Sequence, residues 1–141
     1  MLDQGQSAKK GTSILFVNPK DQVLLLLRDN EPHLEFPNCW DIPGGNVEGN
    51  ETPDQSIIRE MLEEIGKYIS SPKLYKESDM GDRYEYTYWA KADWNTNEIL
   101  LTEGQGLKWF TEQDVRKLKE EKIAFGFKET ILQFLKDAPY K

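Results

Sequence analysis

Three carboxylates at helical spacing are the residues best suited to do chemistry in this sequence. Glu60, Glu63 and Glu64 would fall within about 100° of one another around an α-helix. Side chains this close repel one another, which raises their pKa values and weakens the helix unless a cation lies between them. Because oxygen ligands favour hard ions, the cluster predicts a Mg²⁺ site, with Mn²⁺ as the second choice. The alternative is an acidic helix face in contact with solvent.

The flanking residues predict the helix that would hold these carboxylates. Thr52 suits the N-cap, Pro53 suits the first helical position, and Gln55 would complete a capping box. Gly66 is a natural end for the helix. An apolar stripe at helical spacing would face the core on the side away from the carboxylates, and it comprises Ile57, Ile58, Met61, Leu62 and Ile65.

The residues around this helix match a longer pattern. Gly45, Glu51 and the run from Arg59 to Gly66 resemble the Nudix box, G-x5-E-x7-R-E-U-x-E-E-x-G-U, in which U is a bulky apolar residue. Every defined position agrees except the last, where Lys67 replaces an apolar residue. So many fixed residue types at these spacings coincide by chance only about once in 10⁸ windows. The chain is therefore identified as a member of the Nudix family.

The resemblance implies a fold, an activity and a cofactor. The implied fold is α/β (α+β), with a mixed β-sheet sandwiched between helices as an α/β/α sandwich. The implied activity is Mg²⁺-dependent hydrolysis of the diphosphate linkage in a nucleoside diphosphate derivative, because the ion would neutralise phosphate oxygens and lower the pKa of a water. The implied metal ligands are Gly45, through its carbonyl, and Glu60, Glu63, Glu64 and Glu103.

Four residues are expected to support catalysis. Either Glu63 or Glu103 would take the proton of the attacking water as general base. Glu103 precedes Gly104 and Gln105, and this segment resembles the one after the central strands in MutT-type members; a loop glutamate without such a role is the alternative. Arg59 would pair with Glu51 and hold the preceding loop in register with the helix.

Three further residues are predicted to contact the substrate. Arg28 ends an apolar run and would face the phosphates, and a surface ion pair is an equal alternative. Tyr88 and Trp89 lie on a predicted aromatic strand, in a region where Nudix enzymes that act on nucleotides hold the base against an aromatic ring. Packing in the core is the alternative for this aromatic strand.

The resemblance to MutT-type members favours a (d)NTP or a modified nucleotide as substrate, cleaved to a nucleoside monophosphate and pyrophosphate. Residues 124–127 lack the asparagine that reads the base in oxidised-guanine enzymes, which disfavours 8-oxo-dGTP. ADP-ribose, nucleotide sugars and dinucleoside polyphosphates are alternative substrates. A non-catalytic nucleotide-binding module and an isomerase of the same fold are alternative functions, disfavoured because the box glutamates are all present and no additional Cys/His set exists.

Composition limits the possible partners. The 141 residues fit one domain, with a flexible arm over residues 1–11 and the Nudix domain over residues 12–141. A net charge of −7 argues against a nucleic-acid polymer or an anionic membrane as partner. We expect a small nucleotide as partner, a monomer or homodimer, and a cytoplasmic location, because the chain shows no signal-peptide pattern and no membrane-length apolar run.

The remaining periodicity predicts the other elements. Strands are expected over residues 12–17, 23–28, 73–78 and 83–92. A short helix capped by Thr111 should reach about residue 119, and an amphipathic helix should close the chain over residues 128–137.

Overall fold

The computed structural model describes residues 9–141, which form a mixed seven-stranded sheet with helices on both faces. The strands are β1 (Lys9–Val17), β2 (Val23–Leu27), β3 (Trp40–Asp41), β4 (Gly44–Asn46), β5 (Lys73–Asp79), β6 (Arg83–Lys91) and β7 (Gly106–Phe110). The helices are α1 (Pro53–Ile65), α2 (Glu112–Lys117) and α3 (Phe127–Asp137). No helix in this part of the chain is long and apolar enough to cross a membrane.

The sheet opens between β1 and β2, which pair at one end and then diverge. Strands β1 and β6 run parallel along their whole length, from the pair Lys9–Arg83 to the pair Val17–Lys91. Strands β1 and β2 are antiparallel and pair at Val17–Val23. Beyond that point β4 pairs with β1 and β3 pairs with β2, so these two short strands lie in the gap. The gap positions the site described below.

Alternating side chains of β1 enter two separate cores. Ile14 and Phe16 point toward α1 and pack in one apolar cluster with Ile57 and Met61. Leu15 lies on the opposite face, in a second cluster that includes Phe134 of α3. Both clusters are fully buried at these positions. This α/β/α arrangement confirms the predicted mixed sheet between helices.

Helix α1 begins and ends as predicted. Thr52 and Gln55 form the reciprocal capping box, and Gly66 ends the helix in the left-handed conformation, at φ 70°. The predicted apolar stripe is wrong at Leu62, whose side chain is 53% exposed. Ile57, Met61 and Ile65 recur every four residues and make the buried contact, and Leu62 lies about 100° around the helix from Met61.

Several predicted boundaries differ from the structure. Residues 9–11 belong to β1 and not to a flexible arm, because the parallel ladder with β6 begins at Lys9. The rest of the predicted arm, residues 1–8, lies outside the described residues. Helix α2 ends at Lys117, two residues before the predicted end. The closing helix α3 begins one residue earlier than predicted, at Phe127.

Candidate active site

A polar cleft of about 410 Å³ lies at the gap in the sheet. Its acidic lining residues are Glu35, Asp41, Glu48, Glu60, Glu64, Asp82, Glu85 and Glu103, and its basic ones are Lys9, Arg28 and Arg83. Acidic side chains therefore outnumber basic ones around one small volume. A bound cation would reduce their mutual repulsion.

Helix α1 presents Glu60 to this cleft against a glycine. Glu60 is buried, and its carboxylate packs directly on Gly45 of β4. A Cβ atom at position 45 would overlap the carboxylate, so Glu60 reaches the cleft only because position 45 is glycine. The carbonyl of Gly45 accepts a hydrogen bond from Thr12 Oγ1 at 3.2 Å. Gly45 also pairs with Thr12 in the antiparallel β1–β4 ladder, so its carbonyl oxygen is directed toward β1.

Electrostatic repulsion in the cleft is strongest at Glu64. Burial, together with the neighbouring Glu60, Glu103 and Asp41, raises the pKa of Glu64 to about 8. Burial also raises the pKa of Glu60, against the opposing charge of Arg59. A divalent cation between these two carboxyls would displace their protons, because its charge offsets the burial and repulsion that raise their pKa values.

The donor set fits a magnesium-like ion. Glu60, Glu64 and Glu103 all line the cleft and offer only oxygen atoms. Within residues 9–141, no three acidic, histidine or cysteine side chains converge closely enough to form a ready-made metal cage. Mg²⁺ commonly takes one or two protein carboxylates together with waters and substrate phosphates, and Glu60 and Glu64 offer such a pair.

Arg59 links α1 to the loop before it. Its guanidinium contacts both carboxylate oxygens of Glu51, and this ion pair lowers the pKa of Glu51 to about 2. The predicted pair between these residues is therefore present. Arg59 Nη1 also lies 3.1 Å from Glu60 Oε2 and 3.1 Å from Glu63 Oε1.

The structure does not bring Glu63 into the cleft. Its side chain is 60% exposed and contacts Arg59 on the outer surface of α1. Glu63 lies only about 60° around the helix from Glu60, and both carboxylates contact Arg59 Nη1, Glu60 from the buried side and Glu63 from the exposed side. Glu103, in contrast, lies in the cleft together with Glu64, as expected for a ligand or a base.

Arg28 lines the cleft and also makes an ion pair. Its Nη1 lies 3.0 Å from Asp41 Oδ2, so the predicted ion pair occurs, and the predicted phosphate contact stays a prediction. Burial raises the pKa of Asp41 to about 6, although Arg28 opposes the shift. The second oxygen of Asp41 is buried without a hydrogen-bond partner in the described chain. The sequence reasoning missed Asp41, whose only signal is an acid in an otherwise apolar run, Trp40 to Ile42.

The sequence reasoning also missed two residues at the start of β6. Arg83 and Glu85 both line the cleft, with Arg83 Nε 3.0 Å from Glu85 Oε1. The guanidinium of Arg83 lies 4.1 Å from the ring centroid of Phe125, and that of Arg28 lies 5.3 Å from it. Phe125 has φ 57°, a strained conformation for a residue with a large side chain. An acid between tyrosines on an alternating strand was the available signal for Glu85.

The two predicted base-contacting aromatics lie away from the cleft. Tyr88 is 2% exposed and donates a short hydrogen bond to Asp54 at the start of α1. Trp89 points to the other face of the sheet and packs near Phe134, with 6.5 Å between ring centroids. The cleft lies at the start of β6 and both residues lie near its end. Their prediction as base contacts is therefore not supported by their positions.

Comparison with known proteins identifies the family. The NUDIX domain profile matches residues 8–133. The chain belongs to the Nudix family. A Nudix relative from Bacillus subtilis, named as a putative 8-oxo-dGTP diphosphatase, is 29% identical over 103 residues, which cover 71% of this chain and 64% of that protein. An RNA pyrophosphohydrolase from Aeromonas hydrophila is 29% identical over 126 residues, covering 89% of this chain and 66% of that protein.

Solved structures show the same Nudix fold. The crystal structure of a MutT protein from Methanosarcina mazei Go1 has a TM-score of 0.70 and 18% identity, and the match covers 93% of this chain and 95% of that one. The chain spans slightly less than two thirds of the length of the two curated Nudix relatives above. The comparisons therefore establish family and fold, and activity is argued below.

The one departure from the Nudix box has a structural role of its own. Lys67 follows the end of α1, and its ammonium lies 5.4 Å from the ring centroid of Trp94. Trp94 in turn packs edge-on against Phe16 in the core beneath α1. The aliphatic part of a lysine side chain can cover apolar surface while its charge contacts solvent. Lys67 thus occupies the place of an apolar box residue without exposing the core.

Proposed function

We propose that this chain is a Mg²⁺-dependent Nudix hydrolase that cleaves the diphosphate linkage of a (d)NTP or modified nucleotide to a nucleoside monophosphate and pyrophosphate. The observation that carries the proposal is the pair Glu60 and Glu64, two partly buried carboxyls with raised pKa values in one cleft. Relatives named as 8-oxo-dGTP diphosphatases support a nucleoside triphosphate over other diphosphates.

Each acidic residue of the cleft has a distinct role in this proposal. Glu60 and Glu64 would hold the ion, with the Gly45 carbonyl beside them as a further oxygen ligand. A bound divalent ion supplies charge neutralisation of phosphate oxygens and a water of lowered pKa. Arg59 fixes the direction of Glu60 through the contact at 3.1 Å.

Glu103 is the better candidate for the general base. It is exposed to solvent inside the cleft beside Glu64, where it can accept the proton of an attacking water and pass it to bulk solvent. Glu63 is already paired with Arg59 on the outer surface of α1 and lies outside the cleft. We therefore assign the proton transfer to Glu103 and the support of Arg59 to Glu63.

The basic side of the cleft would bind the substrate phosphates. Arg28 and Arg83 present planar guanidinium groups, and each is held by an acid, Asp41 or Glu85, and by the ring of Phe125. A guanidinium in a fixed orientation matches two phosphate oxygens at once. This arrangement favours binding of a diphosphate bridge between the basic side chains and the ion held by α1.

The test is hydrolysis of a substrate panel by the wild type and by Glu64→Gln. With Mg²⁺ present, we expect wild-type activity on (d)NTPs with release of pyrophosphate, and a loss of roughly 10²-fold or more in kcat for the variant. The panel should include oxidised dNTPs, ADP-ribose, nucleotide sugars and dinucleoside polyphosphates, with phosphate and pyrophosphate scored separately. Glu98→Gln, at an exposed position outside the cleft, is the matched control. Unchanged kcat in Glu64→Gln would remove Glu64 from the metal site.

A further inference from the structure

A buried carboxylate lines the wall of the cleft at the start of β6. Glu85 is 3% exposed and pairs in the parallel ladder with Gly11 of β1. A Cβ atom at position 11 would overlap Glu85 Oε1, so the absence of a side chain there leaves the room that the carboxylate occupies. A carboxylate is costly to bury, and its position beside a ligand cleft therefore calls for a partner.

One cation accompanies Glu85, and it is itself fixed. Arg83 Nε lies 3.0 Å from Glu85 Oε1, but the N–H is not aligned for a hydrogen bond, so the contact is an ion pair. The guanidinium of Arg83 is held over the ring of Phe125. Burial raises the pKa of Glu85, and the charge of Arg83 opposes that shift and favours the ionised form. The Ser13 hydroxyl also hydrogen-bonds the carboxylate and favours its ionised form. An ionised carboxylate has about four acceptor sites, more than this hydroxyl and one misaligned N–H can satisfy.

Glu85 lies one step along the sheet from the proposed metal-binding residues. Gly11 and Thr12 of β1 pair with Asn46 and Gly45 of β4, and Glu60 packs on Gly45 while Glu85 packs on Gly11. Because consecutive residues of a strand face opposite sides of a sheet, the two carboxylates line the cleft from opposite faces of the sheet. The cleft is continuous between the two carboxylates. A nucleotide with its phosphates at α1 can therefore extend its base toward β6.

We propose that Glu85 selects the base of the substrate by accepting hydrogen bonds from a guanine-type edge. An ionised carboxylate only accepts hydrogen bonds, so it fits a base with two adjacent N–H donors. The N1–H and the 2-amino group of guanine are such a pair. Adenine presents the acceptor N1 beside its amino group, and two facing acceptors repel each other. This inference rests on the proposed function, since it places the base of a nucleotide in this cleft.

In this proposal the base is recognised by a strand of the sheet and not by the segment before α3. Residues 124–127 are Ala-Phe-Gly-Phe, and their side chains contain no hydrogen-bonding group. Phe125 can therefore supply only apolar contact and the support of Arg83. Glu85 is buried and its direction is restricted by the strand, so it has the rigidity that discrimination between similar bases needs.

Equilibrium binding of mononucleotides measures the base selectivity of the cleft in the absence of hydrolysis. In EDTA, isothermal titration calorimetry of the full chain should rank GMP over IMP over AMP, because IMP lacks only the 2-amino group. We expect at least a 10-fold difference in Kd between GMP and AMP, the size of one discriminating hydrogen-bond pair. Glu85→Gln introduces an amide donor opposite the donors of guanine and should reduce that difference to within about 3-fold. Glu98→Gln, which makes the same acid-to-amide change at an exposed position outside the cleft, should keep the wild-type ranking.

The outcomes separate this inference from the proposed function. Equal wild-type affinity for GMP and AMP, or a preference for AMP, would overturn the role of Glu85 even if the Gln variant does not fold. Hydrolysis of dGTP, dITP and dATP with similar kcat/KM values would also overturn it, while leaving the hydrolase assignment intact. GMP-selective binding without hydrolysis of any nucleotide would support the role of Glu85 and contradict the proposed activity.

Discussion

Arg59 contacts Glu51 through two hydrogen bonds, from Nε to Oε2 at 3.0 Å and from Nη2 to Oε1 at 2.7 Å. Arg59 Nη2 also donates to the carbonyl of Asn46 at 3.1 Å. A single side chain of α1 thus joins the helix, the loop before it and the end of β4. Because the N–H groups of a guanidinium have fixed directions, Arg59 holds the helix, the loop and the end of β4 in one arrangement relative to one another. Because Arg59 also contacts Glu60, the position of the loop that carries Glu51 is coupled to the position of Glu60, the proposed metal ligand.

Arg59→Lys should lower both stability and activity. An ammonium group keeps the charge but cannot make the two parallel hydrogen bonds to Glu51. We expect a loss of roughly 1–2 kcal/mol in the free energy of unfolding, measured by urea denaturation, and roughly a 10-fold loss in kcat. Arg116→Lys, in an exposed helical pair with Glu112, is the control and should change stability by less than about 0.5 kcal/mol. Equal effects of the two substitutions would contradict the linking role of Arg59.

Gly45→Ala should displace Glu60 and impair metal binding. The added methyl group would overlap the Glu60 carboxylate, so the side chain must turn away from the cleft. A shift of about 1 Å in a positioned group can cost roughly 10²-fold in rate. The affinity for Mn²⁺, measured by electron paramagnetic resonance, should fall together with kcat. Gly106→Ala is the control, because a Cβ there meets open space; normal Mn²⁺ affinity in Gly45→Ala would show that Glu60 does not bind the ion.

Glu103→Gln and Glu63→Gln should differ in their effects on catalysis. Loss of a general base typically costs about 10²- to 10⁴-fold in kcat, and we expect this for Glu103. Glu63 contacts only Arg59 near the site, so its substitution should cost less than about 10-fold. A larger loss in Glu63→Gln would reverse the assignment of the base.

The metal-free protein should lose stability as pH rises from about 4.5 to about 8. The pKa of Glu64 is raised from 4.5 to about 8, so in this range the folded carboxyl keeps a proton that the unfolded chain has released. The free energy of unfolding therefore falls with rising pH, and Asp41, with its pKa raised to about 6, acts in the same direction.

Thermal unfolding in EDTA measures this dependence, and the same series in Mg²⁺ tests its cause. A bound divalent ion takes the place of the proton, so Mg²⁺ should restore Tm most at the alkaline end of the range. Glu64→Gln carries no titrating group at this position and should show a flatter profile in EDTA. A wild-type profile that is flat in EDTA would contradict the raised pKa of Glu64.

Much of the site could be predicted from sequence because its determinants are local. The capping box of Thr52 and Gln55, the end at Gly66 and the four-residue periodicity of Ile57, Met61 and Ile65 all act within a few turns of one helix. The Nudix box adds residues within about twenty positions of one another, and its pairing of Arg59 with Glu51 spans eight positions. Interactions of this range leave a pattern that a single sequence shows directly.

Only the tertiary structure decided which side chains share the cleft. Glu85 and Gly11 lie side by side because β1 and β6 pair in one register, and no local pattern encodes a contact between residues so distant in sequence. The same register turns Tyr88 beneath α1 and Trp89 toward α3, away from the substrate. Glu63 is drawn outward by Arg59, which helix periodicity alone does not reveal. Local sequence determined the helix and its acidic side chains, whereas strand pairing determined what faces them, because side-chain direction in a sheet follows from register.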